Sequence, residues 1–526
     1  MKTSHLAFQE TSRRQLVKHA IALPVAGLPL LGLSHQQKSW AAQSGDLITL
    51  RVADGQEPNS IDPHQGTGPF GIVIYSMFET LVAVTEELEP VPGLATGWQI
   101  EDDSLTWTFH LKEGVTFHDG SPFTSESVKG SFDRILNTDI HIRKGSFSII
   151  EEVIAEAPYV VKFRTTSPYS ELPAFLGERS AAIINPVIAE NLGPEEFSVR
   201  PVGAGTGPFR LVEWVPNDHI TMDRFDDYHN DRAAVDQVIV RFVPEASSRE
   251  AMILAGEVDV AMSPSPQGLE SLRNTGDISV VVYNTVTSVT SELEVASPPF
   301  NQREVRQALN YAIDSQGIIS SIMADIGTET TTPGPVGLWG TANFEPYTYD
   351  PTKARELLVS AGYPDGFDCS LRYVSGRWAG DDQVAQAIQA YWSQIGVRLT
   401  LQQVDLATQI EMGNRPSEET PGWTSLQTRG SSSVGYHLDR LFHSNSALPA
   451  TGYKNDEVDQ LLDAARSSFD EDERLALYEA AQEVIWEDAP FVWPFSVQGT
   501  LAHRNNISGL VILPNLDVLL HNVSIS

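Results

Sequence analysis

The sequence predicts an α/β protein of several lobes, because segments typical of strands and segments typical of helices alternate along most of the chain. At 526 residues the chain is long enough for about two to four domains. No short repeat period is visible, which argues against solenoid and propeller architectures.

The first half of the chain contains the clearest strand signals. Residues 47–52 predict an opening strand that ends in a turn at Asp54-Gly55. Residues 106–111 alternate apolar and polar side chains, and residues 149–164 predict two short strands around Pro158. Between these strands Thr124 is a candidate N-cap for a helix that runs to about residue 136.

Four helical segments are predicted in the second half, the last of them a hairpin of two helices. Apolar residues recur at helical spacing over 305–313. Asp350-Pro351 starts a second helix that Gly362 ends, and Asp381 or Asp382 starts a third that runs to Gly396, ahead of a strand over 397–401. Residues 458–465 and 473–486 predict a helical hairpin.

The N-terminus predicts an export signal. Arg13 and Arg14 precede a short apolar run over residues 20–33, and Ser39 and Ala41 suit a cleavage that leaves Ala42 first. Adjacent arginines are typical of the twin-arginine route, and the run is too short to span a membrane. The alternative is a cytosolic N-terminus that contains Arg-Arg by chance. The sequence thus predicts a twin-arginine signal peptide over residues 1–41 and a soluble periplasmic protein.

Charge and cysteine content restrict the function further. The formal net charge is −34, and residues 1–41 carry five basic and one acidic residue, so the rest of the chain is near −38. Such a surface repels nucleic acid and anionic lipid and favours a soluble monomer. The single cysteine, Cys369, excludes a disulfide framework and lies too far from the N-terminus for a lipid anchor.

A series of ordered motifs carries a family resemblance. The motifs run from about residue 47 to 500 and cover residues 92–98, 106–111, 114–120, 205–209 with Trp214, 305–314, 350–363, 395–397 and 453–483. Together they resemble the extracellular solute-binding proteins of the peptide/nickel class, family 5, which serve ATP-driven importers. Each motif is moderately specific, whereas the ordered set is strong.

The resemblance implies a two-lobed periplasmic-binding-protein fold with an extra subdomain inserted in the first lobe. The expected boundaries are 42–84, 199–283 and 487–526 for lobe I, 85–198 for the inserted subdomain and 284–486 for lobe II. The lobes would close on a peptide or another small molecule, and the partners would be the permease and ATPase subunits of an importer. Neither catalysis nor a cofactor is implied.

The ligand site is expected where Gly422-Trp423 matches the family. Peptide carriers of this family place an aspartate a few residues later to hold the α-ammonium group, but Leu426 stands there. A buried ammonium group without a counter-charge is costly, so a plain free-amine dipeptide is disfavoured. Asp439 is a possible substitute on the following helix, and Trp423 is either a cleft wall or a core aromatic residue.

Two arginines are candidates for binding an anionic ligand. Arg377 stands where the resemblance places an arginine that holds a ligand carboxylate, and Trp378 beside it offers a stacking face. Arg429 precedes Ser431 and Ser432 in a donor-rich loop. The alternatives are a surface ion pair for Arg377 and a flexible loop for the serines.

The resemblance implies that the loop after the first strand faces the cleft, and the lobe I candidates are Asn59, His64 and Tyr75. A carboxylate- or phosphate-bearing ligand is favoured, with peptide, opine, sugar phosphate and glutathione-like solutes left open.

Other classes of site find less support. Pro208 and the strand-like residues 209–212 argue against a nucleotide-binding helix after the glycines at 203, 205 and 207. The histidines show no tight metal-ligand spacing, so no metal site is predicted. Two alternative functions stay open, namely an exported glycosidase-like hydrolase and a receptor that signals to a membrane sensor.

Overall fold

The computed structural model describes residues 47–66, 71–139, 144–378, 380–419, 421–445 and 449–526. The predicted signal peptide, with Arg13 and Arg14, lies outside these residues.

The described residues form twenty strands. They are β1 (Thr49–Asp54), β2 (Val82–Val84), β3 (Pro90–Pro92), β4 (Ala95–Ile100), β5 (Thr106–Leu111), β6 (Ile150–Ala157), β7 (Val160–Thr165), β8 (Phe209–Val215), β9 (His219–Arg224), β10 (Gln237–Phe242), β11 (Val260–Met262), β12 (Ile278–Leu293), β13 (Asp368–Tyr373), β14 (Arg398–Gln403), β15 (Trp423–Arg429), β16 (Phe491–Arg504), β17 (Ile507–Ser508), β18 (Val511–Ile512), β19 (Val518–Leu519) and β20 (Ser524–Ile525).

The same residues form fourteen α-helices. They are α1 (Gly71–Met77), α2 (Ser125–Asn137), α3 (Leu172–Phe175), α4 (Pro186–Val199), α5 (Ala246–Ala255), α6 (Leu269–Arg273), α7 (Arg303–Tyr311), α8 (Ser315–Ser321), α9 (Pro351–Ser360), α10 (Asp381–Ser393), α11 (Leu406–Gly413), α12 (Val434–Phe442), α13 (Asp456–Ser467) and α14 (Glu471–Asp488). No described helix combines the length and the apolar character needed to cross a membrane.

A ten-stranded sheet organises the molecule, in the order β14-β13-β15-β12-β16-β11-β1-β10-β9-β8. The long antiparallel strands β12 and β16 form its middle and connect the two halves. Their register is regular from Ile278 to Asn284 and then shifts before Ser288. An irregularity of this kind bends a strand pair locally, so this is the place where the chain changes direction between the halves.

On one side of β12 and β16 lies the core of lobe I. Strand β1 pairs in parallel with both β10 and β11. Val52, Val240 and Met262 on these strands belong to one apolar cluster that also includes α1 residues such as Ile74. Gly205 packs so closely on the end of α1 that a Cβ atom there would lie 1.9 Å from the Met77 carbonyl oxygen. This close approach explains the glycines at 203–207 without a phosphate site.

The inserted subdomain has its own sheet, β4-β5-β7-β6, covered by α2. Its core is a cluster of aromatic and aliphatic residues between positions 81 and 183, among them Phe109, Phe132 and Phe163. The Phe132 and Phe163 rings meet edge to face at 4.9 Å. Helix α4 contributes Phe197 to the lobe I core instead.

Lobe II has apolar clusters on both faces of its strands. One contains residues of α7, α9 and α10, and the other contains residues of α12, α13 and α14. Val492 belongs to the first cluster and Trp493 to the second, as expected for neighbouring residues of a strand that is covered on both faces. The first half of β16 therefore packs in lobe II, and the chain crosses to lobe I within this strand.

Many sequence-based element predictions are confirmed. The strand over 106–111 matches β5, the strands around Pro158 match β6 and β7, and Thr124 directly precedes α2. The Asp350 carboxylate accepts hydrogen bonds from the backbone N–H groups of Thr352 and Lys353 at the start of α9. The opening strand β1 begins two residues later than predicted, at Thr49.

Candidate functional site: an interlobe cavity and a group of arginines

A cavity of about 250 Å³ has walls from both halves of the molecule. Tyr75 of α1 and the ion pair between Arg179 and Asp517 form one side, and Thr287 of β12 lies at the crossing. The other side is formed by the end of β15 and by the loop that leads into α12. A solute in this cavity would contact lobe I, the crossing strand and lobe II together.

Three of the predicted ligand residues, Tyr75, Ser431 and Ser432, line this cavity. The Tyr75 hydroxyl donates to the Gly177 carbonyl at 3.4 Å. Ser431 Oγ accepts the backbone N–H of Ser433 at 3.2 Å, and the Ser433 hydroxyl oxygen accepts the N–H of Tyr436 at 3.1 Å. The serine loop is therefore held by the cap of α12.

The two predicted arginines lie at the carboxyl ends of neighbouring strands of lobe II. Arg377 follows β13, and its Nη1 donates to Gln427 Oε1 of β15 at 2.9 Å. Arg377 is an exposed residue, but partial desolvation lowers the pKa of its guanidinium group, the nearby Arg429 charge lowers it further, and the Glu292 carboxylate raises it. Ligands of open α/β sheets bind outside the carboxyl ends of strands, which is where both arginines are placed.

These two arginines differ in their counter-charges. Arg429 Nε donates to the Glu292 carboxylate, and the side chains are 15% and 8% exposed. Arg377 makes no ion pair with any described residue, since the Asp381 carboxylate accepts its backbone N–H at 2.7 Å rather than its guanidinium group. Arg429 is thus neutralised within the protein, and Arg377 is not.

A third arginine, Arg372 of β13, was missed by sequence reasoning. It is 4% exposed, and its Nε and Nη1 have no hydrogen-bond partner among the described residues. Its guanidinium carbon lies 5.2 Å from the centre of the Trp423 ring. Burial lowers the pKa of Arg372, and the Glu292 carboxylate raises it.

Arg372 belongs to a polar layer on one face of the lobe II strands. In the sheet register Arg372 lies opposite Ser425, which lies opposite Glu292. Gln409 of α11 and Gln427 each donate to Ser425 Oγ, at 2.7 and 3.0 Å. Gln427 also accepts a hydrogen bond from Arg377. A chain of hydrogen bonds therefore links Arg377 through Gln427 to Ser425. A usable signal is the position of Arg372 between Leu371 and Tyr373 in a segment that precedes the predicted anion site at Arg377.

The walls of the interlobe cavity include neither of the predicted arginines, Arg377 and Arg429, nor the remaining predicted residues. Trp378 packs against the lobe II core, with its ring 6.1 Å from that of Phe495. Trp423 is the first residue of β15, whereas the cavity wall begins at Thr428 on the same strand. Trp423 therefore lies on the strand that forms the wall, but at the opposite end of that strand. Asn59 is exposed in the loop after β1.

His64 occupies a buried polar network of lobe I. It is 1% exposed, its Nε2 lies 3.0 Å from the Ala182 carbonyl oxygen, and its Nδ1 lies 2.8 Å from Arg134 Nη1. Arg134 also donates to the Asp62 carboxylate at 3.0 Å. The histidine is thus held by protein groups, so the expectation that it faces the cleft is corrected.

Neither position considered for an ammonium-binding carboxylate provides one. Leu426 is 5% exposed and packs in the lobe II core. Asp439 lies on α12 as predicted, where Arg466 donates to it through Nε and Nη2 at 3.1 Å each. Burial raises the pKa of Asp439 to about 6. Among the described residues, no group of three or more His, Cys, Asp or Glu side chains could hold a metal ion.

Comparison with known proteins identifies the family to which the chain belongs. The sequence pattern "Bacterial extracellular solute-binding proteins, family 5 Middle" matches residues 89–441. The glutathione-binding protein GsiB of Salmonella typhimurium is 29% identical over 499 residues, which covers 93% of this chain and 96% of that protein.

Solved structures agree with this match. The periplasmic binding protein DppA of Helicobacter pylori, in complex with the peptide STSA, superposes with a TM-score of 0.76 at 27% identity, covering 90% of this chain and 98% of that one. HbpA2 of Haemophilus parasuis has the same fold, with a TM-score of 0.80 at 23% identity, covering 91% and 100%. The chain therefore belongs to the bacterial extracellular solute-binding proteins of family 5 and has their two-lobed fold.

Proposed function

We propose that this protein is the periplasmic substrate-binding component of an ABC importer and that it captures a peptide-like solute with at least one carboxylate or other anionic group. Family membership supports the transport role, and the names of GsiB and of the DppA complex support a peptide-like solute. Permease and ATPase subunits would be its membrane partners, and the protein would act as a monomer.

The observation that carries the anionic class is the uncompensated charge of lobe II. Arg372, Arg377 and Arg429 all lie near the Glu292 carboxylate, which accepts a hydrogen bond from Arg429. Of the three, Arg372 is buried with two unpaired nitrogens, whereas Arg377 is exposed. An isolated buried ion costs several kcal/mol of free energy, because desolvation exceeds what weak partners return. An arginine cannot shed its proton to escape that cost. A ligand carboxylate would supply the missing counter-charge and accept bidentate hydrogen bonds.

Capture would occur by closure of the lobes. A ligand shifts a conformational equilibrium only through contacts that differ between the two states. The interlobe cavity has walls from both halves, so a solute bound there would make its full set of contacts in the closed state.

Calorimetry with matched ligands tests this proposal. The probes are glutathione and the peptide Ser-Thr-Ser-Ala, each compared with a derivative whose carboxylates are esterified or amidated. We expect a free-carboxylate probe to bind, to compact the protein in solution scattering and to raise its melting temperature. At 100 times the Kd the stabilisation should be about 2.7 kcal/mol. Equal affinity for the blocked derivatives would refute the anionic class, and binding without compaction would refute closure.

Native mass spectrometry of protein purified from its own periplasm gives an independent test. We expect a co-purified solute that contains a carboxylate, phosphate or similar anionic group. A co-purified solute that carries only cationic or neutral groups would contradict the proposed class.

Export by the twin-arginine route is a separate part of the proposal and depends on Arg13 and Arg14. Replacing both by lysine keeps the charge and should leave the precursor in the cytoplasm, as fractionation and immunoblotting would show. The control is Lys2→Arg with Lys18→Arg, which also keeps the charge but leaves the pair intact. Unchanged periplasmic yield of the double-lysine variant would indicate the general secretory route.

A further inference from the structure

The molecule has a second, larger cavity of about 740 Å³. Its walls come from the end of α1, the β2–β3 hairpin, the loop after β9 and the segment that ends at Asn522. It shares only one residue, Tyr75, with the interlobe cavity. Its lining contains no lobe II residue, so the solute-binding role proposed above does not account for it.

A buried carboxylate, that of Glu79, faces this cavity. Glu79 Oε1 accepts the Tyr228 hydroxyl at 3.0 Å, while Oε2 is buried without a hydrogen-bond partner among the described residues. The backbone carbonyl of Glu79 accepts the N–H of Ile183 at 2.8 Å, which fixes the position of the residue. Burial raises the pKa of Glu79 to about 7. The Thr206 hydroxyl, which is also buried without a hydrogen-bond partner among the described residues, lies beside Glu79 and lowers its pKa.

A second unsatisfied group, His229, lies beside Glu79. Its side chain is 7% exposed, and neither ring nitrogen has a hydrogen-bond partner among the described residues. His229 Nε2 is 3.5 Å from Glu79 Oε1. Burial lowers the pKa of His229 to about 4, so the ring is neutral at pH 7 and offers a lone pair. Two acceptors therefore face the same space.

The remaining walls suit a cation. Tyr75, Phe78 and Tyr228 provide aromatic surface, which attracts organic cations through the charge distribution of the ring. Lys112 also lines the cavity, and its charge lowers the pKa of Glu79. Its Nζ donates to the Asn230 side-chain oxygen, and it makes no ion pair with a described residue. The strongly negative protein also raises the local concentration of cations.

We propose that this cavity binds an organic cation with a primary ammonium group, which donates hydrogen bonds to Glu79 Oε2 and to a ring nitrogen of His229 while its carbon chain packs against the aromatic wall. An ammonium group has three donors and no acceptor, which matches two unpaired acceptors next to an ionisable carboxyl group. Binding would favour the ionised form of Glu79 and release a proton.

Calorimetry at low ionic strength with 1,4-diaminobutane as the probe tests the site. We expect saturable binding to the wild type, no binding of 1,4-butanediol, and at least a tenfold weaker affinity in Glu79→Gln. The matched control is Glu87→Gln, which removes the same charge from an exposed turn of the β2–β3 hairpin and should bind within twofold of the wild type. Equal affinity of wild type and Glu79→Gln, or no binding to the wild type, would overturn the proposal.

A measurement on the wild type alone covers the case in which Glu79→Gln does not fold. The groups that face Glu79 are Tyr228, His229 and Lys112. Burial raises the pKa of Glu79 to about 7, lowers that of His229 to about 4 and raises that of Tyr228, so affinity for 1,4-diaminobutane should rise severalfold between pH 5.5 and 8. A flat or falling profile would overturn the assignment. Preference for 4-aminobutanoate over the diamine would also overturn it, since that result would assign the cavity to a zwitterion held by Lys112.

Discussion

The two lobes contain buried charges of opposite sign that lack a counter-charge. In lobe I the Glu79 carboxylate faces a cavity with one oxygen unpaired, and in lobe II the Arg372 guanidinium group has two nitrogens unpaired. Some other charges are well matched: Arg179 pairs with Asp517 at 2.8 Å, and Arg249 donates to four backbone carbonyl oxygens, among them that of Met262 at 2.8 Å. Glu294, which is 2% exposed, also has one carboxylate oxygen without a partner among the described residues. The comparison teaches that paired buried ions support the fold, while the unpaired ones mark where a ligand of opposite charge is expected.

This contrast makes the two kinds of buried ion behave differently under mutation. Removing one member of a satisfied pair leaves an uncompensated charge and destabilises the protein. Removing an ion that is already unpaired relieves a desolvation cost and stabilises the ligand-free protein. Four predictions test the contrast, from the largest expected effect to the smallest.

The largest effect is expected for the satisfied pair of Arg134 and Asp62, whose side chains are 12% and 0% exposed. Asp62→Ala should lower the free energy of unfolding by about 3–5 kcal/mol, because it leaves Arg134 buried without a carboxylate. Urea denaturation followed by circular dichroism measures the change. The exposed pair of Arg398 and Asp368 serves as the control, since solvent screens this pair and Asp368→Ala should change the free energy of unfolding far less. Similar losses for the two variants would refute the distinction.

The next effect concerns ligand binding at the end of β13. Arg377→Ala should weaken binding of a carboxylate-bearing solute by about 2–5 kcal/mol, and Arg377→Lys should restore only part of this because the bidentate geometry is lost. Calorimetry with the co-purified solute measures both. If Arg377→Ala binds within a few tenths of a kcal/mol of the wild type, Arg377 is a surface residue without a role in binding.

Replacing Arg372 should stabilise the ligand-free protein, whereas replacing Asp62 should destabilise it. Arg372→Met keeps the length of the side chain and removes its charge, so the free energy of unfolding should increase by about 1–4 kcal/mol. The control is Arg306→Met. Arg306 donates to the carbonyl oxygens of Asp488 and Phe300, so the loss of these hydrogen bonds should lower the free energy of unfolding. Loss of stability in both variants would show that Arg372 is a structural arginine.

The smallest effect is a pH dependence of stability from Glu79. Burial raises the pKa of Glu79 from 4.5 to about 7, so the folded protein binds more protons than the unfolded chain between these values. Stability contributed by this group should therefore fall as pH rises through that window, by at most about 3 kcal/mol. Denaturation at pH 5 and pH 8 should show a smaller decrease for Glu79→Gln than for the wild type, and equal decreases would contradict the raised pKa.

Local signals explain which parts of the fold could be predicted. Strand β5 follows from strict alternation, and α9 follows from Asp350, Pro351 and Gly362, each of which acts through its own backbone neighbourhood. The ends of β1 and α7 shifted by about two residues, because pairing and packing partners decide where an element stops. Tyr75, Ser431 and Ser432 line the interlobe cavity, and their role in binding stays a prediction that depends on the tendency of loops around a cleft to carry function.

The errors within the site share one cause. His64 and Trp423 have suitable chemistry, but His64 is covered by Ala182 and Arg134, and Trp423 is at the wrong end of its strand. Whether a polar side chain is available to a ligand depends on partners that are distant in sequence. Arg429, for example, pairs with Glu292, which lies 137 positions away. No local pattern reports such partners.

By itself the sequence determined the family, the α/β class, the large negative charge and the positions of many helices and strands, because these follow from composition, spacing and ordered motifs. Only the tertiary structure decided which arginine has a counter-charge, which end of β15 forms the cavity wall, and that Glu79 and His229 meet in a second cavity. The physical reason is that desolvation and pairing depend on the groups around a side chain in space, and folding brings those groups from distant parts of the chain.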